Sequence, residues 1–156
     1  MRAFRFVLAA AFLSFLGFAQ QLRADSQAIQ IQDVPKEVVD AVKVKFPDAQ
    51  IQKAKKKVEN GKTLFGIGLT SKGTERNVLL TPKGKIVELK TVIPATKLPA
   101  KVAEAVYGTY PNSTTTKAQK VTAYKEEKSF QVEVLTADKQ TKKLVVDADG
   151  KIKTAN

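Results

Sequence analysis

"VPKEVVDAVKVKFPDAQIQKA" fills residues 34–54, and its outline returns as "LPAKVAEAVYGTYPNSTTTKA" at residues 98–118. Pro35 matches Pro99, Phe46 matches Tyr110, Pro47 matches Pro111 and Ala54 matches Ala118, each pair 64 positions apart. Farther along, Phe65, Ile67 and Leu69 match Phe130, Val132 and Val134 at 65, and Gly84-Lys85-Ile86 matches Gly150-Lys151-Ile152 at 66. The offset drifts by one residue at each of two turns, where insertions are tolerated. Ordered agreement of this kind marks an internal duplication, and it governs every later assignment.

Each unit opens with a helix. Val34, Val38, Val42 and Phe46 recur every four residues, as do Leu98, Val102, Val106 and Tyr110, which lays one apolar stripe along each segment. Pro35 and Pro99 sit near the first helical position, where a missing N–H costs nothing. Glu37 and Asp40 come early and Lys43 and Lys45 late, complementing the helix dipole. Pro47 and Pro111 disfavour helix at the residue before them. Helices this short need a surface to lie on.

Strands supply it. "TLFGIGLT" (63–70) and "SFQVEVLT" (129–136) alternate apolar with small or polar residues, the pattern of a half-buried strand. Ala49–Val58 and Ser113–Tyr124 precede them, with Asn60-Gly61 as a hairpin signal. Asn77–Thr81 and Lys143–Asp147 follow, then turns at Pro82-Lys83-Gly84 and Ala148-Asp149-Gly150, then Lys85–Lys90 and Lys151–Thr154. One such unit has under 60 residues and would be marginal alone. The expected fold is therefore α+β: two tandem units, each a helix plus a four-stranded antiparallel meander, forming one eight-stranded sheet with both helices on one face. The expected divisions are a lead-in at 25–33, a first unit at 34–90, a linker at 91–97 and a second unit at 98–156.

"FPDA" (46–49), "LFGIGL" (64–69) and "PKGKI" (82–86), with "YPNS" (110–113), "SFQVEV" (129–134) and "DADGKI" (147–152), resemble the PepSY-like family, also described as beta-lactamase-inhibitor-like. The resemblance covers roughly residues 34–156. It implies an exported bacterial protein built of tandem helix-plus-sheet units. It also implies a binding or inhibitory role, as in the beta-lactamase inhibitory protein, whose concave sheet grips an enzyme, and in PepSY propeptide domains that restrain peptidases. The matching motifs are structural punctuation and carry over no contact residues.

Arg2 and Arg5, the apolar run Phe6–Phe18 and the small residues after it read as a signal peptide over residues 1–24, with cleavage after Ala24 or alternatively after Ala19. A periplasmic or extracellular location follows as an expectation. The chain has neither Cys nor His, which removes disulfides, thiol nucleophiles, imidazole bases and the usual zinc ligands. No nucleophile stands beside a convincing base, Glu126-Glu127 and Ser129 included, and the reading is of a protein without catalysis, cofactor or metal. "DADG" (147–150) resembles the start of a calcium loop, but Lys151 stands where a further acid would help, and the stretch reads as a turn.

Charge points to partners. Without residues 1–24 the chain keeps 24 basic and 15 acidic residues, and residues 34–90 hold 13 and 6 of them. Lys53, Lys55 and Lys57 alternate along one strand face, about 7 Å apart. They read either as a grip for an anionic surface or as a solvated face that deters edge-to-edge aggregation. The matching stretch of the second unit holds Ala118, Lys120 and Thr122, so such a grip would be one-sided. Gly66 and Gly68 occur where the second unit has Gln131 and Glu133; they either let a partner approach bare backbone or mark a bulge or strong twist. Tyr124 is a candidate surface anchor. The expected partner is a protein with an acidic surface, or alternatively an anionic envelope polymer or lipid headgroup. No reading helix or stacking platform accompanies the lysines, so nucleic acid is not expected.

Overall fold

The computed structural model of the chain describes residues 25–124 and 128–156. The expected signal peptide and the Glu126-Glu127 pair lie outside the described residues. Among the described residues, nine antiparallel strands form a single sheet in chain order. They are β1 (Asp25–Ile29), β2 (Gln50–Glu59), β3 (Lys62–Ser71), β4 (Thr74–Leu80), β5 (Ile86–Ile93), β6 (Thr114–Ala123), β7 (Ser129–Leu135), β8 (Thr141–Asp147) and β9 (Ile152–Ala155). Helix α1 (Lys36–Lys45) comes between β1 and β2, and α2 (Ala100–Thr109) between β5 and β6. The fold is α+β.

The sheet has one strand more than the sequence pattern predicts. Asp25–Ile29, read as a lead-in, pairs antiparallel with β2 from Asp25↔Val58 to Ile29↔Ala54. Five residues with one partly buried apolar side chain leave no alternation to detect; what makes them a strand is the otherwise open edge of β2. β5 likewise runs on through Thr91–Ile93, the first half of the segment read as a linker, and Ala95–Lys97 forms a 3-10 turn.

Val38 and Val42 of α1 are fully buried, in a cluster with Ala54, Phe65, Ile67, Leu69, Val78 and Leu80. Val102 and Val106 of α2 are buried with Phe130, Val132, Val134, Leu144 and Val146. Phe46 and Tyr110 sit at the C-caps, where their amides bond the Val42 and Val106 carbonyls, and each packs against its cluster. Val34 and Leu98 precede the helices rather than belong to them, because Pro35 and Pro99 serve as N-caps.

Directly paired residues of an antiparallel sheet share a face. Ile67, Val78 and Leu89 form one such row across β3, β4 and β5. Ile93, Ala118, Val132 and Leu144 form another across β5 to β8. Leu89 and Ile93 lie an even number of residues apart on β5.

A turn glycine fixes each helix against the sheet. Gly84, between β4 and β5, has φ +76°, and a Cβ there would drive into the Glu37 carbonyl oxygen of α1. Gly150, between β8 and β9, has φ +87°, and its Cβ would stand 2.7 Å from the Lys101 carbonyl oxygen of α2. The repeated Gly-Lys-Ile thus marks where helix backbone touches turn backbone. Gly73, with φ +70° at the β3–β4 turn, faces open space and provides the comparison.

That β3–β4 turn is held from a distance. Asp48, just after α1, accepts hydrogen bonds from Ser71 Oγ (2.9 Å) and the Lys72 amide (2.8 Å). The Ser71 hydroxyl chiefly, and then the Lys72 amide, hold its carboxyl below the usual aspartate range, against the opposing effect of desolvation.

Two outcomes are expected. Gly84→Ala and Gly150→Ala should each cost at least about 2 kcal/mol, against about 1 kcal/mol for Gly73→Ala, since only the first two add a collision to the left-handed backbone; urea unfolding of the three variants measures the difference. Because the Asp48 pKa is depressed on folding, its support for the turn is complete above the ordinary aspartate pKa and disappears as pH falls through the lower folded value. Lys72 amide protection should therefore drop in that acid window, and Asp48→Asn should remove the pH dependence.

Candidate functional site

The alternate positions of β2 to β5 carry none of the two clusters' residues, and there the chain forms a trough of about 280 Å³. One wall is Lys53 and Lys55 on β2, the other Glu88 and Lys90 on β5. Between them lie small or short residues: Gly66 and Gly68 on β3, Asn77 and Leu79 on β4. The register creates this arrangement, with one row Lys53–Gly68–Asn77–Lys90 and the next Lys55–Gly66–Leu79–Glu88. Walls three strand spacings apart stand about 14 Å from each other, backbone to backbone.

The two glycines do different things. A Cβ on Gly68 would lie 2.6 Å from both Cγ and Cε of Lys53, so the aliphatic stem of Lys53 already covers that backbone. Gly68 is a seat for a lysine, not a bare landing place. Gly66 has only ordinary contacts, 3.9 Å to Leu79 Cδ1 and 4.0 Å to Lys55 Cβ, and it remains partly exposed at the floor.

On the opposite wall, Lys90 Nζ stands 3.4 Å from Glu88 Oε1, each side chain about a third exposed (30% and 31%). The same ammonium donates to Gln131 Oε1 at 3.2 Å, reaching across β6 to β7. Val121 is the Lys90 partner on β6 and is only 8% exposed, although it belongs to neither cluster. Among the described residues, no carboxylate pairs with Lys53 or Lys55. Three ammonium groups therefore face one carboxylate, above a floor of glycine backbone and a leucine side chain.

Of the six residues singled out from sequence, Lys53, Lys55, Gly66 and Gly68 come together here. Lys57 shares their face, opposite Leu64, but stands outside the trough and bonds Glu59 Oε2 at 3.0 Å. Tyr124 also lies outside it: its ring carries Lys85 Nζ at 4.1 Å from the centroid, and its amide donates to the Val87 carbonyl. The wall formed by Glu88 and Lys90 was missed. Alternation in "IVELKTV" (86–92) could have put both outward, but only the strand order brings them opposite β2.

The second half differs for a definite reason. The residues matching the lysine row are Lys117, Gln119 and Val121, not Ala118, Lys120 and Thr122. Ala118 and Lys120 pair with Val132 and Phe130 and so belong to the inward rows. The bulge at Gln52 recurs at Thr116, which keeps the two registers in step. Opposite Lys117 and Gln119 stand Glu133 and Gln131 in place of Gly68 and Gly66. Glu133 is engaged by Lys143 Nζ at 3.2 Å, so side chains fill what the first half leaves open. "DADG" is a turn, with Asp147 Oδ1 accepting the Asp149 and Lys151 amides at 3.0 and 2.9 Å.

No protein-family model matches the chain, and no curated protein matches it in sequence. Its fold is similar to solved structures. A protein of Bacteroides eggerthii DSM 20697, provisionally described as periplasmic, superposes with a TM-score of 0.68 at 16% identity over 79% of this chain and 88% of that one. A DUF2874 family protein of Bacteroides uniformis ATCC 8492 gives 0.66 at 19% identity, over 78% and 88%. A BLIP-like protein of Bacteroides fragilis NCTC 9343 gives 0.58 at 17% identity, over 77% and 83%. The fold is thus BLIP-like.

Gly68→Ala separates site from scaffold. Gly68 has no left-handed backbone, and the atoms in the way belong to a flexible lysine stem. The variant should unfold within about 1 kcal/mol of the parent, while Lys53 loses its proton–proton contacts to residue 68 in nuclear Overhauser spectra.

Proposed function

We propose that the protein is an exported, non-catalytic binding module that holds an acidic protein partner against the open face of its sheet, and that holding restrains the partner's activity. The observation that carries this reading is the trough, where Lys53, Lys55 and Lys90 outnumber Glu88 over a floor of glycine backbone and a leucine side chain. In this reading the chain is two tandem PepSY-like units, residues 34–90 and 98–156, sharing one sheet with both helices on the same face. The inward rows through Ile67, Val78 and Leu89 and through Ile93, Ala118 and Val132 support it, since both meet on one side of β5. Helices on that side leave the lysine side uncovered.

Export to the periplasm or the medium is supported by the leader pattern of residues 1–24 and by the description of the Bacteroides eggerthii protein. Among the described residues, no helix is long and apolar enough to cross a membrane. The likeness to a BLIP-like protein supports a role in protein binding by analogy of fold. Lysines on one wall would speed and orient capture of an acidic surface.

The surplus of lysines also favours a second reading, retention of anionic envelope polymer or lipid headgroups by charge. Salt separates the two. A protein partner should stay bound at moderate ionic strength with defined stoichiometry, whereas charge-only binding falls steeply and serves many polyanions alike. With partner purified from envelope extract, the Lys53→Gln/Lys55→Gln/Lys90→Gln variant should bind about tenfold more weakly. Unchanged affinity would remove the trough from the contact surface.

A further inference from the structure

We propose that the trough is a receptor for carboxylate side chains two residues apart on an extended peptide segment, and that Glu88 is its built-in competitor, holding Lys90 until a ligand carboxylate replaces it. This rests on the reading of the open face as the binding surface and names the ligand it takes. Lys53 and Lys55 are two residues apart on β2 with a register unbroken between them. Side chains at i and i+2 of any extended chain repeat at about 7 Å. A segment lying along the trough therefore presents acidic groups at the same interval as the two lysine positions that receive them.

The floor selects further. Gly66 leaves backbone within reach, Leu79 offers apolar surface, and Asn77 offers an amide. A peptide with acidic residues on one side and small side chains between them satisfies all three. A bare polyanion meets the same lysines but gains nothing from Leu79 and faces Glu88 along its length.

Glu88 does not belong to a neutral ladder. It sits on the trough wall, 3.4 Å from the Lys90 ammonium, and that ammonium keeps a second partner in Gln131. Loss of the Glu88 charge thus leaves Lys90 anchored and frees it for an incoming carboxylate. Repulsion between Glu88 and the ligand disappears at the same time. Both effects act in one direction.

The probe is the capped hexapeptide Thr-Glu-Thr-Glu-Thr-Glu, with its all-Gln counterpart and polyphosphate as controls, titrated calorimetrically into the full mature chain. The parent should bind the Glu peptide and not the Gln peptide. Glu88→Gln should tighten binding about twofold to fivefold, the range of a partly exposed ion pair, and Lys55→Gln should loosen it by a similar factor. Circular dichroism of the Glu88→Gln variant should match the parent, since the residue is partly exposed. Weakening by Lys55→Gln with no gain from Glu88→Gln would overturn the competitor and leave the open-face reading standing. Equal gain for polyphosphate and peptide would overturn the peptide in favour of a polyanion. Failure of the Glu peptide to bind either protein would overturn the carboxylate receptor. Capture of the natural partner insensitive to Lys53 and Lys55 would remove the open-face reading itself.

Discussion

A ten-residue helix in water has too few hydrogen bonds to offset its own nucleation, so α1 and α2 exist only where Val38, Val42, Val102 and Val106 are buried. Each buried valine contributes about 1.5–3 kcal/mol, and the sheet is what buries it. Everything else in the molecule answers to that packing. The turn glycines let helix backbone approach sheet backbone, the proline N-caps begin each helix at the right height, and Phe46 and Tyr110 close each cluster at its end. With no Cys in the chain, this apolar contact has no covalent help.

Committing one set of alternate positions to the two apolar clusters frees the other set from the demands of the core. On the first half, Lys53, Lys55, Gly66 and Gly68 take those positions; on the second, Lys117, Gln119, Gln131 and Glu133 take them. Gly66 and Gly68 face Lys55 and Lys53, whereas Gln131 and Glu133 face Gln119 and Lys117. The same framework thus carries a hollow at one end and a filled, self-paired surface at the other. Lys90 links the two, since it pairs with Val121 on β6 and its ammonium spans from Glu88 to Gln131.

Charge in the hollow is unbalanced but not unopposed. Glu88 reduces the local field of three lysines and holds one of them. Lys53 is constrained differently, by the lack of a side chain beneath it at Gly68.

Much of the fold was legible because periodicity is a local property. A four-residue valine spacing, a strict two-residue alternation and the Gly-Lys-Ile and Phe-Pro or Tyr-Pro markers identified, among the described residues, both helices and eight of the nine strands. β1 was not legible: Asp25–Ile29 is a strand only because β2 offers it an edge, and no pattern inside five residues records that. Half of the trough could be read along the chain, since Lys53, Lys55, Gly66 and Gly68 lie on consecutive strands. Glu88 and Lys90 could not, and neither could the separation of Lys57 and Tyr124 from the site. Sequence by itself determined which side chains point together on each strand, because that depends on neighbouring dihedral angles. Tertiary structure alone decided which strands stand opposite one another and which lysine covers which glycine, because those depend on register across hydrogen bonds between residues far apart in the chain.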